Sequence, residues 1–589
     1  MTPTTRREAR QQPREQGETT ERPRRRIRIK WVLAILLVVV LLCAAWLAFR
    51  ALTVKNALES AQSALQQAQE GGDVAGAIDI VAREAGTASS AASDPIWAAA
   101  EILPFVGENL RGVRLASQSL DVVANDIGKP ILDMQGDGEG AILSRALPVI
   151  ERGAELLAPL RTDLASLSSS TTLLAPVQSG VTQVNDVVGA LQPVLAVMPG
   201  LLGADEAKNY LLVFQNNAET LPLGGSAASE TMIRADAGDL EITGQGSSGI
   251  FDRDKRDIGI EISEPLRELY GKTYGTRVNM STTRPDWPAA AQMVAAFWNR
   301  TIDDTRVDGA VSIDPLALAR ILKATGPITV PGPDGDFELN EGNANDVLLS
   351  KVYQWWDAYT PEGALASDKF FGTVASTVFN SIASGDFNLK DMAWAVSESV
   401  ETGSVMAWMA DAEQQSFIES AGKISGILPS DNTDETVVGV YFRDVSASKI
   451  DYYLDAAVDA TMSCADGVTT LTTKATAHLA ITQADAENLP RYVQSFRNGA
   501  NFFSKHFFVY APPGMELVDT KTEGEFAEPF RQGNTDLGRA VVPFQSRVAP
   551  GETVTVEATF TGTGDFGPLA VRTTPTVRGT DVVIDDSCR

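Results

Sequence analysis

The sequence predicts an N-terminal transmembrane helix, a helical stalk or bundle, an α/β core in which helices cover a layered sheet, and a C-terminal antiparallel β-sandwich. Three observations lead to this fold class. Residues 31–49 form a continuous apolar run, residues 51–204 repeat apolar side chains at helical spacing, and from residue 205 strands alternate with helices before strands alone follow. The predicted segments are a basic disordered cytoplasmic tail (1–30), the transmembrane helix (31–50), an extracytoplasmic helical region (51–204), the core (205–430) and the β-sandwich (431–589).

The apolar run at residues 31–49 is long enough for a membrane anchor. As a helix it spans roughly 28 Å, close to the hydrocarbon thickness of a bilayer. Residues 1–30 carry ten Arg or Lys against four Glu, and this excess predicts a cytoplasmic N-terminus and an extracellular C-terminus. A cleaved signal peptide is the alternative, but its apolar region is shorter and ends at a small-residue cleavage site that this run lacks. We expect a single-pass protein of the cell membrane.

Charge and histidine content exclude several function classes. The chain has a formal net charge of −27, which argues against nucleic acid as a partner. It contains only two histidines, His478 and His506. A His-rich zinc site is therefore excluded, and so is a Ser-His-Asp triad before residue 478. No catalytic residue, metal ligand or cofactor is predicted from these patterns.

The helical region after the anchor has the spacing of amphipathic helices. One predicted helix face consists of Val181, Val184, Val188, Leu191 and Val194. Proline and glycine predict breaks between these helices, for example at Asp94–Pro95 and at Pro199–Gly200.

The core is predicted from an alternation of strands and helices. Residues 208–216, 228–236 and 309–314 have the composition of buried strands. Residues 288–301 form an amphipathic helix, and a second helix begins at Pro315 and ends before Gly326. This order is typical of a layered α/β domain.

The last part of the chain reads as strands separated by turns. Alternation of Val554, Val556, Ala558 and Phe560 predicts one buried face of an antiparallel sheet. Cys464 and Cys588 are the only cysteines outside the anchor, which contains Cys43. In an oxidising compartment they predict a disulfide, with an intermolecular bond through the penultimate Cys588 as the alternative.

The first candidate binding site follows the first strand of the core. Carboxamide side chains can hydrogen-bond a sugar or a phosphate, and paired glycines allow close backbone approach. The alternative is that Asn and Gly simply form turns at strand ends. The candidate ligand-binding residues here are Asn216, Asn217, Glu219, Gly224 and Gly225.

The second candidate site is the cluster Arg284, Asp286 and Trp287. An aromatic ring can stack on a sugar while the charged groups bind its hydroxyls. The alternative is a helix N-terminus, with Asp286 favoured by the helix dipole and Trp287 packed below it.

The segments 210–242, 283–291 and 307–330, taken in this order, resemble the envelope domain-of-unknown-function family 4012. The layout is also similar to that family: one anchor, a helical region with a characteristic stretch at 95–110, the core, and a β tail. The resemblance implies an envelope location and no particular activity.

The core also has a distant similarity to the LytR-CpsA-Psr phosphotransferases. The segments that carry it are 229–232, 307–330 and 339–351. That family transfers glycopolymers to the bacterial cell wall from polyprenyl pyrophosphate carriers and grips the pyrophosphate with several arginines and a metal ion. Here Ala228 and Leu349 stand where arginines are expected, and Lys351 is the only basic residue left at these positions. The resemblance therefore implies a similar fold and argues against the same catalysis.

The leading hypothesis is a membrane-anchored, non-enzymatic envelope protein that binds or organises cell-wall glycopolymer. One alternative is a LytR-CpsA-Psr-like phosphotransferase acting on a polyprenyl-pyrophosphate-linked glycan, which would use Mg²⁺ and retain Lys351 at its site. Another is a scaffold for an envelope protein complex. The expected partners are the membrane and a cell-wall glycopolymer or polyprenyl-linked glycan, without nucleic acid.

Overall fold

The computed structural model describes residues 25–69, 74–134, 141–253, 258–531 and 533–588. These residues divide into two compact units. The first lies within Met1–Pro130 and Arg152–Pro193, and the second within Ile131–Glu151 and Val194–Arg589. Most of the predicted cytoplasmic tail, residues 1–24, lies outside the described residues.

The N-terminal part of the chain is helical, as the apolar spacing predicts. Its helices are α1 (Arg25–Gln69), α2 (Val74–Ala92), α3 (Pro95–Ala100), α4 (Gly107–Asp121), a π-helical stretch (Val122–Gly128), α5 (Lys129–Met134), α6 (Ile142–Ser168) and α7 (Ala175–Leu201). The predicted break at Asp94–Pro95 is confirmed: Asp94 caps α3 by accepting from the Ile96 N–H at 2.9 Å. The predicted break at Pro199–Gly200 lies within two residues of the observed helix end. The helix continues to Leu201, and Gly203, with φ of 73°, then turns the chain.

Helix α1 changes its environment along its length. From Trp31 to Leu42 its large apolar side chains are exposed on every side. Further along the same helix, one face is buried: Val54, Ala57, Ala61 and Ala64 are each at most 8% exposed. By length and composition α1 could span a membrane. Helix α7 passes the same test, although Val181, Val184 and Val188 on its predicted face are buried in the protein.

A five-stranded mixed sheet forms the centre of the α/β core. Its order is β3-β2-β1-β4-β7, with β1 and β4 parallel and the other neighbours antiparallel. The strands of the core are β1 (Lys208–Leu221), β2 (Gly224–Asp236), β3 (Asp239–Ser247), β4 (Gly309–Ile313), β5 (Ile328–Gly332), β6 (Gly335–Leu339) and β7 (Val405–Met409). Strands β5 and β6 form a separate hairpin.

Helices cover both faces of this sheet. They are α8 (Ser248–Phe251), α9 (Glu264–Tyr270), α10 (Trp287–Thr301), α11 (Pro315–Thr325), α12 (Ala344–Asp346), α13 (Val352–Trp355), α14 (Pro361–Ser384), α15 (Leu389–Glu401) and α16 (Ala412–Ser420). Shorter turns are 3-10 helical at Val278–Thr283 and Gly422–Ser425 and π-helical at Val347–Lys351. In β1, Leu211 and Val213 pack in one cluster with α10, whereas Leu212 and Phe214 contact the cluster that contains α11. This alternation gives the layered α/β arrangement that the sequence predicts.

The C-terminal part consists of two sheets. Its strands are β8 (Thr436–Asp444), β9 (Leu454–Ala465), β10 (Val468–Leu479), β11 (Phe503–Tyr510), β12 (Glu516–Glu523), β13 (Glu528–Pro529), β14 (Asn534–Asp536), β15 (Arg539–Val548), β16 (Thr553–Gly562), β17 (Leu569–Thr573) and β18 (Thr580–Asp586). A 3-10 turn (Ile450–Tyr453) precedes β9, and α17 (Gln483–Asn488) follows β10. One sheet has the order β12-β16-β10-β9-β18 and the other β13-β15-β11-β8-β17. Inward-facing residues of both sheets form one hydrophobic cluster, which includes Val554, Val556, Ala558 and Phe560 as predicted.

The two final strands correct the purely antiparallel prediction. Strand β17 pairs in parallel with β8, and β18 pairs in parallel with β9. Each pair is far apart along the chain, so no hairpin forces the strands to run in opposite directions. The parallel register places Asp586 opposite Met462, and Cys588 then lies beside Cys464. These two cysteines form the predicted intramolecular disulfide, with Cα atoms 5.1 Å apart.

Candidate functional site

The carboxamide residues predicted to bind a ligand lie inside the protein. Strand β1 continues past them to Leu221, with irregular register between Phe214 and Gln215 and again after Asn216. Asn216 and Asn217 are 7% and 0% exposed. Strand pairing with β2 encloses the segment, so these two side chains are not exposed to solvent.

Two of the three carboxamides are satisfied within the core. The Gln215 amide donates to the Ser312 hydroxyl, and its oxygen accepts from the Gly225 N–H at 3.0 Å. The Asn216 amide donates to the Tyr353 hydroxyl at 2.6 Å, and its oxygen accepts from the Ala218 N–H at 3.1 Å. Because these polar atoms bind one another, they are not available to a ligand.

Asn217 connects two parts of the second unit. Its amide donates to Asp314 Oδ2 at 2.8 Å and to the Pro575 carbonyl oxygen at 3.0 Å. The other oxygen of Asp314 caps α11 by accepting from the Ala317 N–H at 2.9 Å. Asn217 thus holds the start of α11 against the connection between β17 and β18.

The glycines and Glu219 also have internal roles. Gly224 has φ of 127° at the turn from β1 to β2, a conformation that favours glycine. A Cβ atom at Gly225 would collide with the Asn216 carbonyl. Glu219 accepts from the Ser226 hydroxyl and forms an ion pair with Lys449. Close strand approach at the irregular register explains both glycines without a ligand.

Lys449, the partner of Glu219, is almost fully buried. Its Nζ lies 4.6 Å from the ring centre of Tyr353 and 5.1 Å from that of Tyr492. Burial alone would lower the pKa of Lys449, but the Glu219 carboxylate outweighs it and the pKa is raised. The pair is a charged link between strand β1 and the segment before β9.

The second predicted cluster is a helix N-terminus. Arg284 binds Asp536 with two nitrogens and forms an ion pair with Asp286 at 2.7 Å. Asp286 caps α10 by accepting from the Ala289 N–H at 3.2 Å. Trp287 is 0% exposed, so its ring cannot stack on a sugar and that prediction is wrong. Helix capping by Asp286 and core packing of Trp287 account for this sequence pattern.

Lys351, the basic residue that the transferase resemblance singles out, lies at the end of the π-helical stretch. Its Nζ forms an ion pair with Asp346, and its side chain is about half exposed. Leu349, two positions before Lys351, is buried. The structure does not join Lys351 to either predicted cluster by a hydrogen bond or an ion pair among the described residues.

An open cleft lies between the α/β core and the β17–β18 connection. Its volume is about 660 Å³, within the usual range for ligand sites. The core contributes Pro222, Leu223, Leu316, Ala319, Arg320, Glu341, Asn345, Glu401, Thr402, Gly403, Met406, Lys423, Gly426 and Ile427. The C-terminal part contributes Tyr441, Val571, Arg572, Thr573, Thr574, Pro575, Thr576, Val577, Gly579, Thr580 and Val582. We call this site the core–β cleft.

Several polar atoms at the core–β cleft are buried without a hydrogen-bond partner. They are Arg572 Nε, Thr573 Oγ1 and Asn345 Oδ1. Buried polar atoms in folded proteins are nearly always hydrogen-bonded, so unpartnered ones beside a cavity point to a ligand or to water. No local motif marks these residues, although an arginine inside the apolar strand β17 is an unusual feature of the sequence.

The cleft also contains two arginines that have no ion-pair partner at contact distance in the described part of the chain, although the carboxylates Glu341 and Glu401 line the same cleft. Arg320 donates to the hydroxyls of Ser399 and Thr402 at 3.3 and 3.2 Å. Among the described residues, no carboxylate lies within ion-pair distance of Arg320 or Arg572, whereas Lys423 is paired with Glu401. Burial lowers the pKa of Arg572, but a guanidinium stays charged at neutral pH. Two guanidinium groups outside any ion pair therefore line the same cleft.

Sequence comparison finds a family match in part of the core. Residues 205–353 match the family described as "Protein of unknown function (DUF4012)". The predicted resemblance is confirmed over these residues. The DUF4012 region includes strands β1 to β6, the carboxamide cluster, Arg320 and Asn345. It contributes half of the cleft residues that come from the core.

Other comparisons add little to the DUF4012 match. The X-ray structure of the Lin1025 protein from Listeria innocua aligns with 37% of this chain and 78% of its own, at 14% identity and a TM-score of 0.23. A TM-score of this size does not establish a common fold. No curated protein matches the sequence. Within the described residues, no group of three or more His, Cys, Asp or Glu is placed to hold a metal ion.

Proposed function

We propose that this chain is a single-pass, membrane-anchored protein of the cell envelope that binds cell-wall glycopolymer in the core–β cleft without catalysis. In this proposal α1 anchors the protein and the remaining chain lies outside the cell. The two C-terminal sheets act as a β-sandwich that supplies one wall of the cleft. The observation that carries the proposal is the pair of unpaired guanidinium groups in a cleft of ligand size.

The environment of α1 supports membrane anchoring. Its apolar residues are exposed up to Leu42, and its buried face begins only near Leu47 and Val54. At this transition Asp94 accepts hydrogen bonds from Trp46 Nε1 at 3.1 Å and from two Arg50 nitrogens at 3.0 and 3.2 Å. Tryptophan and arginine are typical of the interface between bilayer and water.

An apolar loop close to this interface supports the same arrangement. The loop follows α3, which Asp94 caps, and its side chains Ile102 and Phe105 are 85% and 93% exposed. Exposed apolar residues in a cluster mark an interaction surface. In the proposal this loop rests in the outer leaflet of the membrane that α1 spans.

Protease digestion of wall-stripped cells tests the orientation. We expect digestion to remove a C-terminal tag and to spare an N-terminal tag, because basic residues resist translocation. A matched variant with Arg25, Arg26 and Arg28 changed to Glu should lose this strict orientation. Protection of the C-terminal tag in the natural protein would contradict the proposal.

The chemistry of the core–β cleft supports an anionic glycan as ligand. Arg320 and Arg572 can bind phosphate or carboxylate groups through paired N–H donors. Thr573 and Asn345 offer the unpartnered oxygens that sugar hydroxyls can satisfy. Leu223 and Val582 give apolar surface for the C–H faces of sugar rings.

Binding of purified wall glycopolymer to the full chain in detergent tests this assignment. We expect Arg572→Ala and Arg320→Ala each to weaken binding of an anionic glycopolymer by roughly tenfold or more, since a charge-assisted hydrogen bond contributes about 1.5–3 kcal/mol. Arg578→Ala is the matched control, because Arg578 lies in the same connection but is half exposed and pairs with Asp455 outside the cleft. Equal affinity in all four proteins would contradict the assignment.

The same preparation distinguishes the alternatives. Steady release of phosphate from a polyprenyl pyrophosphate glycan with Mg²⁺ would favour the LytR-CpsA-Psr-like phosphotransferase over a binding protein. Specific co-purification of envelope proteins, with no affinity for glycan, would favour the scaffold. The binding proposal predicts neither result.

A further inference from the structure

A buried lysine lies between two aspartates in the C-terminal part. The side chains of Lys505, Asp444 and Asp451 are 4%, 3% and 0% exposed. Lys505 Nζ lies 3.2 Å from Asp444 Oδ1 and also donates a hydrogen bond to Asp451 Oδ1. The proposed function does not use this cluster, which is distinct from the residues that line the core–β cleft.

The fold holds these groups together in an apolar environment. Lys505 on β11 pairs directly with Asp444 on β8, and Asp451 lies in the 3-10 turn that follows β8. Neighbours in the hydrophobic cluster include Phe442, Ile450, Leu454, Phe503 and Phe507. Fixed proximity of this kind replaces an encounter in solution and favours reaction between an amine and a carboxyl group.

The two carboxyl groups have different surroundings. Asp444 accepts hydrogen bonds from the N–H groups of Ser446 and Ser448 at 3.0 and 3.1 Å and from the Ser448 hydroxyl at 2.8 Å. Asp451 has fewer donors: Lys505 at Oδ1, and the Thr220 hydroxyl, which acts to lower the pKa of Asp451. Burial outweighs these donors and raises the pKa of Asp451 to about 6. Paired carboxyl groups with different surroundings can take different roles in one reaction.

We propose that Lys505 and Asp451 form an intramolecular isopeptide bond, with Asp444 as the acid–base group. A proton first passes from the Lys505 ammonium to the Asp451 carboxylate. The neutral amine then attacks Cγ of Asp451 and forms the C–N bond. Asp444 takes a second proton from the nitrogen and returns it to the departing oxygen as the C–O bond breaks. One proton of the original ammonium stays on the amide nitrogen, two leave in water, and Asp444 ends as it began.

The protonation state of the lysine explains why the reaction begins with a proton transfer. Burial alone would lower the pKa of Lys505, but the two aspartates outweigh it and the pKa is raised. The amine is therefore held as an ammonium until a carboxylate removes its proton. The resulting amide would close a covalent loop between positions 54 residues apart, in addition to the Cys464–Cys588 disulfide.

Peptide mass spectrometry of the full chain, reduced and digested with trypsin, tests the bond. We expect residues 450–474 joined to residues 498–521, with the summed mass lowered by one water molecule. Cleavage after Lys505 should be lost because the modified lysine is not a trypsin site. The matched internal control is Lys521, which pairs with Glu557 on a neighbouring strand at 2.6 Å but is exposed. It should remain free and be cleaved.

Variants separate the reacting groups from the acid–base group. Lys505→Met and Asp451→Ala should abolish the joined peptide. Asp444→Ala should also abolish it while Lys505 and Asp451 both remain, which a passive ion-pair role for Asp444 does not predict. A free, cleavable Lys505 throughout the natural, folded protein would overturn the proposal, and this measurement does not depend on any variant folding. A joined peptide in Asp444→Ala would overturn the role of Asp444.

Discussion

The carboxamide cluster and the core–β cleft are both polar, yet they have opposite characters. In the cluster, Gln215 and Asn216 find partners within the core through short hydrogen bonds. In the cleft, Arg572 and Thr573 have buried polar atoms without partners. Polar composition alone does not mark a site. Asn217 Oδ1 in the cluster also lacks a partner among the described residues, so what distinguishes the cleft is that several such atoms lie beside two guanidinium groups in one cavity.

The two regions are physically coupled through Asn217. This residue belongs to the cluster, and its amide binds the Pro575 carbonyl in the cleft wall. If the cleft binds glycopolymer as proposed, we expect the cluster to act by positioning this wall. A variant that displaces the cleft wall should lower stability, whereas a variant that removes a contact with ligand should lower affinity alone.

The largest effect is expected from removing the disulfide. The Cys464→Ser/Cys588→Ser variant should lose up to ~5 kcal/mol of unfolding free energy in the chain-entropy model, since the bond closes a separation of 124 residues. Strand β18 follows the cleft wall directly, so glycopolymer binding should weaken as well. Thermal unfolding and binding of the full chain measure both, with Cys43→Ser as control. An unchanged melting temperature would show that β18 is held by pairing with β9 alone.

Asn217→Ala should cost roughly 3 kcal/mol of unfolding free energy. The change removes the donor to Asp314 Oδ2 and to the Pro575 carbonyl, both in a buried setting, while Asp314 Oδ1 keeps its bond to the Ala317 N–H. Asn380→Ala, at an exposed position of α14, is the control and should change stability little. Denaturant unfolding measures the difference. Full stability of Asn217→Ala with reduced glycopolymer affinity would instead show that Asn217 contacts the ligand.

Glu230 lies outside both the carboxamide cluster and the core–β cleft. Its carboxyl oxygens are nevertheless buried without a hydrogen-bond partner. Burial raises the pKa of its carboxyl group well above the ordinary value, and the Asp252 charge adds to this. The folded state therefore binds the proton more tightly than the unfolded state. The contribution of Glu230 to the free energy of unfolding is fully present below the pKa of Glu230 in the unfolded chain. It is lost as the pH rises toward the pKa of Glu230 in the folded protein.

Glu230→Gln should remove the loss of unfolding free energy that Glu230 causes as the pH rises. Each unit of pKa elevation corresponds to about 1.4 kcal/mol, so the variant should lose less stability than the natural protein between pH 4.5 and pH 7.5. Melting temperatures at the two pH values measure the effect, and Glu241→Gln on the neighbouring strand is an exposed control. A steeper pH dependence in Glu230→Gln would indicate that Glu230 is ionised and paired.

The smallest stability effect is expected at the cleft itself. Arg572→Ala removes a partly buried charge that has no ion-pair partner, and its unfolding free energy should stay within about 1 kcal/mol of the natural value. Arg539 provides the matched contrast, since its guanidinium donates to the carbonyl oxygens of Val437 and Ala511 at 2.7 and 3.0 Å. Arg539→Ala should be clearly destabilised in the same unfolding experiment. Equal losses in both variants would mean that Arg572 is a structural residue.

Local patterns predicted much of the fold. Apolar length identified α1, spacing placed Val181, Val184 and Val188 on a buried helix face, and the capping pair Asp94–Pro95 started α3 where expected. Pairing of Cys464 with Cys588 followed from the absence of another cysteine outside the anchor. Each of these features depends on residues close together in the sequence or on the number of cysteines, and both can be read from the sequence alone.

Local patterns failed where distant contacts decide the outcome. Asn216 and Gly225 resemble turn residues, but pairing between β1 and β2 extends both strands through them. Trp287 resembles a sugar platform, but α10 turns it into the core. The parallel addition of β17 and β18 also has no local signal, because their partners lie more than a hundred residues earlier.

The sequence by itself determined the apolar N-terminal helix, the order of helical, α/β and β segments, and the disulfide. Only the tertiary structure decided which polar groups find partners and which remain free. Asn217 and Pro575 are 358 positions apart, yet the buried Asn217 amide donates a hydrogen bond to the Pro575 carbonyl oxygen. Arg572 and Arg320 come from strand β17 and helix α11, and only their shared cleft gives them a joint role. Hydrogen-bond satisfaction depends on distances between remote residues, and those distances exist only once the chain has folded.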